Sequence, residues 1–90
     1  MMKVDVKSFA HLRLVLGKSP VTMEIPEDTT VAGLINILIG QYGAAAREAI
    51  WKQDGQSLKI TPVYEGKLIA LDATLHDGMT VVFMSIVAAG

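Results

Sequence analysis

The sequence predicts an α+β fold in which one mixed β-sheet carries one main helix across one face. Three observations support this prediction. Two segments with the two-residue period of half-buried strands come first, one segment with the 3.6-residue period of a helix follows, and strand-like segments return in the last third of the chain. A chain of 90 residues suffices for one domain, which we expect to span residues 1–90.

The first two strands are predicted at residues 3–8 and 21–25. Polar and apolar side chains alternate in both segments, so that Val4 and Val6 face one side of the first strand and its charged residues face the other. The stretch 17–20, Gly-Lys-Ser-Pro, indicates a turn. We therefore expect a hairpin with a long connection.

The main helix is predicted over residues 30–41. Either Thr29 or Thr30 can cap its free backbone N–H groups, and Gly43 is a suitable C-terminal cap. Apolar residues recur at helical spacing and form one stripe, at Val31, Leu34, Ile35 and Leu38.

A second, short helix is predicted over residues 44–52, which are rich in alanine. Glu48 and Lys52 stand four residues apart, the spacing of a helical ion pair. Trp51 lies at the end of this segment, and we interpret it as a packing anchor rather than a binding site. The pair Asp54-Gly55 ends the segment.

The last third of the chain predicts three further strand segments. Residues 58–64 form the first, which we expect at a sheet edge because Pro62 lacks an N–H group. A short apolar run at 68–71 follows, and the strongly β-prone segment 80–86 is the last strand. Turns are expected at residues 65–67 and 77–78.

Composition excludes several classes of protein. Eight basic and nine acidic residues give a net charge of −1, without the basic excess of a nucleic-acid-binding protein. The absence of cysteine excludes disulfides and thiolate metal sites and is compatible with a cytoplasmic location. No apolar stretch approaches the about 18 residues of a membrane-spanning helix, and residues 1–7 carry charges rather than the apolar run of a signal peptide, so we expect neither a membrane segment nor a signal peptide.

The sequence contains no arrangement typical of catalysis. His11 and His76 stand apart, without the ligand spacing of a zinc site, so no metal is expected. No nucleophile–base pair and no glycine-rich phosphate loop is recognisable. We therefore expect no enzymatic activity of its own.

The last strand is apolar on both faces, which indicates a docking surface. Val81 and Phe83 share one face, and Val82 and Met84 share the other, whereas a helix on one side covers only one face. The charged residues of the first strand mark the uncovered face, and Phe9 continues their phase. Phe9, Val82 and Met84 are therefore predicted to form an exposed patch for a partner, with burial under a loop as the alternative.

Four motifs resemble the ubiquitin-like sulfur-carrier family, which includes the small subunit of molybdopterin synthase. Residues 9–13 (Phe-Ala-His-Leu-Arg) are similar to its Phe-Ala-x-Leu-Arg motif, and residues 25–31 are similar to the segment that leads into its helix. Residues 75–81 (Leu-His-Asp-Gly-Met-Thr-Val) resemble the segment before its last strand, and residues 87–90 (Val-Ala-Ala-Gly) resemble its Val-x-Gly-Gly tail. The resemblance covers nearly the whole chain and implies a β-grasp fold.

The resemblance also implies a function and partners. An E1-like enzyme would use ATP to adenylate the carboxylate of Gly90, which would then become a thiocarboxylate and donate sulfur in the biosynthesis of molybdopterin, for a molybdenum or tungsten cofactor. The implied partners are this activating enzyme and the large subunit of molybdopterin synthase, and the chain itself would bind no cofactor. The tail that enters the partner would comprise Val87, Ala88 and Ala89.

Three departures from the family pattern leave alternatives open. Ala89 replaces the penultimate glycine, Ser85-Ile86 replaces a Pro-Pro pair, and residues 64–66 replace an Asn-Gly turn. Glycine reaches backbone conformations that a methyl group disfavours, so Ala89 bears directly on activation. The alternatives are a protein modifier joined to lysines through Gly90 and an interaction domain that is not conjugated. A carrier of the thiamin pathway fits less well, because such carriers are usually shorter and lack the segment 44–52.

Overall fold

The predicted α+β architecture is present in the computed structural model, which describes residues 1–85. One five-stranded sheet is combined with three helices. The elements in chain order are β1 (Met2–Ser8), α1 (Ala10–Leu16), β2 (Val21–Ile25), α2 (Val31–Tyr42), α3 (Ala44–Ile50), β3 (Ile60–Tyr64), β4 (Lys67–Leu68) and β5 (Thr80–Ser85).

The sheet is mixed, with the strand order β2-β1-β5-β3-β4. The first and last strands, β1 and β5, are parallel neighbours at its centre, and all other pairs are antiparallel. In the central pair, Val6 lies opposite Val81 and Ser8 lies opposite Phe83. This pairing is the one that the predicted fold requires.

The core lies between one face of the sheet and the helices. Val6, Val81 and Phe83 are fully buried, as the alternation of the strands predicts. The whole predicted stripe of α2 is also fully buried: Val31, Leu34, Ile35 and Leu38. Burial of each such side chain contributes about 1.5–3 kcal/mol, so this interface dominates the stability of the fold.

Both predicted caps of α2 are present. The Thr30 hydroxyl accepts a hydrogen bond of 3.1 Å from the backbone N–H of Gly33. At the other end, Gly43 has φ +76°, in the left-handed region that favours glycine, and its N–H donates to the carbonyl of Ile39.

The connection between β1 and β2 differs from the prediction, because it contains helix α1. This helix is only seven residues long, and it buries Leu12 and Leu16 against the core. Gly17, with φ +84°, ends it. A helix of two turns has little intrinsic stability and depends on tertiary burial, so its local signal in the sequence is weak.

The second predicted helix is present as α3, but it ends at Ile50. Lys52 therefore lies outside the helix, and the expected ion pair with Glu48 is not formed. The ion pair found within residues 1–85 joins the Met1 amino group to the Glu27 carboxylate at 3.5 Å. Trp51 is half-buried and packs against the core, as expected for a packing anchor.

The prediction that β3 is an edge strand is wrong, because β3 lies between β5 and the two-residue strand β4. The N–H of Ile69 donates to the carbonyl of Pro62 at 3.1 Å. The N and C=O groups of one strand residue point to the same side, so the nitrogen of Pro62 faces away from β5. The missing N–H thus costs the β3–β5 ladder no hydrogen bond.

The predicted turn between β3 and β4 is confirmed. Glu65 and Gly66 have φ +51° and +80°, the two positive values of a type I′ hairpin turn. Among residues 1–85, no helix has the length and apolar character needed to cross a bilayer.

Candidate functional site

The face of the sheet opposite the helices carries the predicted partner surface. Strand register places Lys7 opposite Val82 and Thr61 opposite Met84 on this side. Because alternate strand residues share a face, Val82 and Met84 point away from the core that holds Val81 and Phe83. We term this side of the sheet the open face.

Strand alternation places the three predicted interface residues on the open face, and Phe9, at the end of the sheet, also lines a cavity of about 220 Å³ with Ala49 and Ile60. Phe9 has the extended backbone angles φ −136° and ψ 164°, so it continues the alternation of β1 beyond buried Ser8. Phe9 is 46% exposed and Met84 is 47% exposed, while Val82 is half-buried. The loops of residues 1–85 therefore leave these side chains accessible.

Two further residues extend this surface and were missed in the sequence. Val63 lies opposite both Val82 and Leu68, which places all three on the open face. Leu68 is 75% exposed. The sequence did contain a signal for these two residues, because a two-residue turn at 65–66 fixes the β3–β4 register and so pairs Val63 with Leu68. We term the resulting surface the open-face patch, which comprises Phe9, Val63, Leu68, Val82 and Met84.

Polar groups bound the open-face patch on the β1 and β2 side. Lys7 is exposed beside Val82. The Thr22 hydroxyl donates a hydrogen bond of 2.6 Å to the carboxylate of Asp5. The patch is therefore apolar at its centre and polar along its β1 and β2 side, as a protein interface commonly is between its core and its rim.

The end of β5 lies at the same edge of the sheet as Phe9. Because β5 runs parallel to β1, both strands end at this edge, and Ser85 lies opposite Ile60. The predicted tail residues Val87, Ala88, Ala89 and the predicted reactive residue Gly90 lie outside the described residues. Gly90 follows Ser85 by five positions, so the chain can carry Gly90 at most about 18 Å from this edge.

The histidines make no metal site in the described part of the chain. His76 and Tyr64 form a side-chain contact of 3.3 Å between Nε2 and the hydroxyl oxygen, with the rings edge to face at 5.5 Å. His11 is exposed. Within residues 1–85, no group of three or more histidines and carboxylates could hold a metal ion.

One carboxylate has a perturbed pKa. Hydrogen bonds from the backbone N–H groups of Gln56 and Ser57, and from the Ser57 hydroxyl, hold the pKa of Asp54 below its usual value. The three distances are each 2.9 Å. Asp54 is fully exposed in a surface loop, so this arrangement stabilises a turn.

This strand order, with α2 packed on one face and an accessible opposite face, defines the ubiquitin-like β-grasp class of protein. Small archaeal modifier protein 1 from Haloferax volcanii is similar in structure, with a TM-score of 0.81 and 26% identity over 98% of this chain and 99% of that protein. A putative molybdopterin converting factor, subunit 1, from Pyrococcus furiosus has a TM-score of 0.77 and 25% identity over 94% of this chain and 98% of its own.

A third neighbour shares the fold at lower identity. Urm1 from Trypanosoma brucei has a TM-score of 0.73 and 22% identity, over 98% of this chain and 95% of its own. The structural neighbours thus come from the ubiquitin-like sulfur-carrier β-grasp family, and the resemblance found in the sequence motifs is confirmed. No protein-family model and no curated protein matches the sequence.

Proposed function

We propose that the chain is a sulfur carrier in molybdopterin biosynthesis, activated at the carboxylate of Gly90. The observation that carries this proposal is the similarity, over 94% of the chain, to a putative molybdopterin converting factor subunit. The motif at residues 87–90 resembles the reactive tail of that family. In this proposal the chain is not a catalyst. It is a carrier that works with an E1-like enzyme in the cytoplasm.

The proposed chemistry needs only a carboxylate from this chain. An oxygen of the Gly90 carboxylate attacks the α-phosphorus of ATP in the activating enzyme, and pyrophosphate leaves. A hydrosulfide ion then attacks the acyl carbon of the adenylate, AMP leaves with the electron pair of the C–O bond, and the thiocarboxylate remains. Small residues at 87–89 suit this step, because a bulky side chain near the carbonyl would obstruct the nucleophile.

The open-face patch is the proposed docking surface for the activating enzyme and for the large subunit of molybdopterin synthase. Phe9 and Met84 offer the aromatic and sulfur-containing side chains that are enriched at protein interfaces. Both lie at the edge of the sheet from which the chain continues toward Gly90. A partner that holds this patch would therefore receive the tail within about 18 Å of the docking contacts.

A second candidate function is protein modification. It is favoured by the similarity, at 26% identity over 98% of the chain, to a protein named small archaeal modifier protein 1. In this case the same acyl adenylate would end as an amide between Gly90 and the side-chain amine of a lysine on another protein. The two candidates share activation and differ only in the nucleophile.

Intact-protein mass spectrometry distinguishes the candidates. The chain is incubated with an E1-like enzyme, ATP and a sulfide source, and a variant that lacks Gly90 is the control. Replacement of one oxygen by sulfur in the full chain, and not in the control, supports the carrier. Lysine-linked adducts on added cellular protein support the modifier. If neither product forms with an enzyme that activates other carriers, both candidates are wrong.

A further inference from the structure

A groove with two lobes lies where α2, α3 and the loop 51–59 meet, on the helix side of the molecule. We term it the Trp51 groove. The larger lobe is a cavity of about 310 Å³, and the smaller, of about 200 Å³, has Asn36 and Ile39 in its wall. Arg47 and Trp51 line both lobes, which therefore adjoin.

The larger lobe concentrates positive charge. Arg47, Lys52 and Lys59 line it together with one acid, Glu48. None of these three cations forms an ion pair with any of residues 1–85. Lys59 is held at the rim, because its Nζ donates a hydrogen bond of 2.7 Å to the carbonyl oxygen of Glu48. Three of the eight basic residues of a chain with net charge −1 thus meet at one cavity.

The loop that shapes the groove is ordered by its own hydrogen bonds. Trp51 and Leu58 form a β-bridge across it. Asp54 in this loop accepts hydrogen bonds from two backbone N–H groups and one hydroxyl, and its carboxylate is also attracted by the charge of Lys52. The loop therefore fixes the position of Trp51, and the three cations of the groove outnumber the two nearby acids, Glu48 and Asp54.

We infer that the Trp51 groove binds a nucleoside monophosphate, with the phosphate in the larger lobe and the base against Trp51 in the smaller. Arginine and lysine are the side chains that bind phosphate oxygens. A tryptophan ring offers a stacking surface to any base, and the amide of Asn36 can both donate to and accept from a base edge. The larger lobe, of about 310 Å³, lies at the lower end of the volume range of small-molecule sites, about 300–1,000 Å³.

The inference goes beyond the proposed carrier function and does not depend on it. The groove involves none of the residues of the open-face patch, and binding there requires no activation of Gly90. It can therefore be tested on the purified chain without an activating enzyme. Failure of either proposal would leave the other standing.

The single tryptophan of the chain supplies a direct readout. AMP is titrated into the full chain while the fluorescence of Trp51 is followed, with adenosine and inorganic phosphate as separate probes. We expect a saturable fluorescence change with AMP, at a lower concentration than with either probe alone, and weakening of binding by added salt. No saturable change with AMP, or equal binding of phosphate alone, would overturn the inference.

A pair of lysine variants localises the effect. Lys52→Gln removes one cation that lines the groove, and we expect AMP binding to weaken about three- to tenfold. Lys18→Gln removes an exposed charge in the turn before β2 and is the matched control. Equal weakening by both variants would show a general charge effect and contradict a site at Trp51.

Discussion

Ser8 and Phe83 lie side by side on the parallel strands β1 and β5, both almost completely buried, with 1% and 0% of their surface exposed. This register fixes the position of the next residue on each strand. Phe9 and Met84 emerge together on the opposite face, where nearly half of each side chain is exposed. The pairing of β1 with β5 thus places Ser8 and Phe83 in the core and the residues that follow them, Phe9 and Met84, in the open-face patch.

The substitution Phe9→Glu tests this patch. We expect binding to the activating enzyme to weaken about ten- to a hundredfold, because a charge would be buried at an apolar contact. The free energy of unfolding should fall by less than about 1 kcal/mol, since the side chain is 46% exposed. Calorimetric binding and urea unfolding measure the two effects. Leu14→Glu, at a residue of α1 that is 78% exposed, is the control, and an equal loss of binding there would contradict the assignment.

The substitution Ser8→Ala tests the buried hydroxyl beside Phe83. The Ser8 hydroxyl oxygen has no hydrogen-bond partner among residues 1–85, and an unsatisfied buried polar group is destabilising. We expect the free energy of unfolding to rise by about 1 kcal/mol. Ser19→Ala should instead lower the free energy of unfolding, because it removes the hydroxyl oxygen that accepts a hydrogen bond of 3.0 Å from the Ser8 N–H. Urea unfolding compares them, and a loss of stability in Ser8→Ala would contradict the prediction.

The substitution Thr30→Ala tests the cap of α2. It removes the oxygen that accepts from the Gly33 N–H, and we expect a loss of about 1 kcal/mol in the free energy of unfolding. Thr30→Ser keeps the accepting oxygen and should retain most of the stability. Thermal or urea unfolding of the three proteins measures the difference. An alanine variant as stable as the serine variant would show that this cap is dispensable.

The loop at Asp54 is expected to respond to acid. Its pKa is lowered from the ordinary value of 3.8, mainly by the Gln56 and Ser57 N–H groups, so the carboxylate form stabilises the loop. That contribution is fully present above the unfolded value and is lost as the pH falls through the lower folded value. NMR titration of the Asp54 carboxyl carbon should give a midpoint below 3.8. Ser57→Ala removes the hydroxyl donor and keeps both N–H groups, so it should raise the midpoint only part of the way toward 3.8; a midpoint that reaches 3.8 would contradict the N–H groups as the main cause.

The substitution Ala89→Gly tests the tail residue that departs from the family pattern. If Gly90 is the activated residue, we expect faster adenylation and an unchanged free energy of unfolding, because glycine reaches backbone conformations that alanine disfavours. ATP–pyrophosphate exchange with the activating enzyme measures the rate. Extension of the chain beyond Gly90 should abolish exchange. Exchange that survives the extension would exclude Gly90 as the reactive end.

Much of the fold could be predicted because its signals are local. The alternation in β1, β2 and β5 and the stripe of α2 each belong to one element, so the buried face follows from spacing alone. The predicted patch residues Phe9, Val82 and Met84 followed from the same alternation. Helix α1 was missed, because its two turns depend on the burial of Leu12 and Leu16 by distant residues.

The sequence by itself determined the order of the strands and of α2 and α3, the buried sides of β1, β2, β5 and α2, and the cap and turn at Gly43 and Glu65-Gly66, because these depend on near neighbours. The tertiary structure decided which strands are neighbours. It placed β3 inside the sheet rather than at its edge and brought Val63 and Leu68 to the open-face patch. It also assembled the Trp51 groove by folding α2 against α3 and the loop that follows it, and no local pattern specifies how these consecutive elements pack.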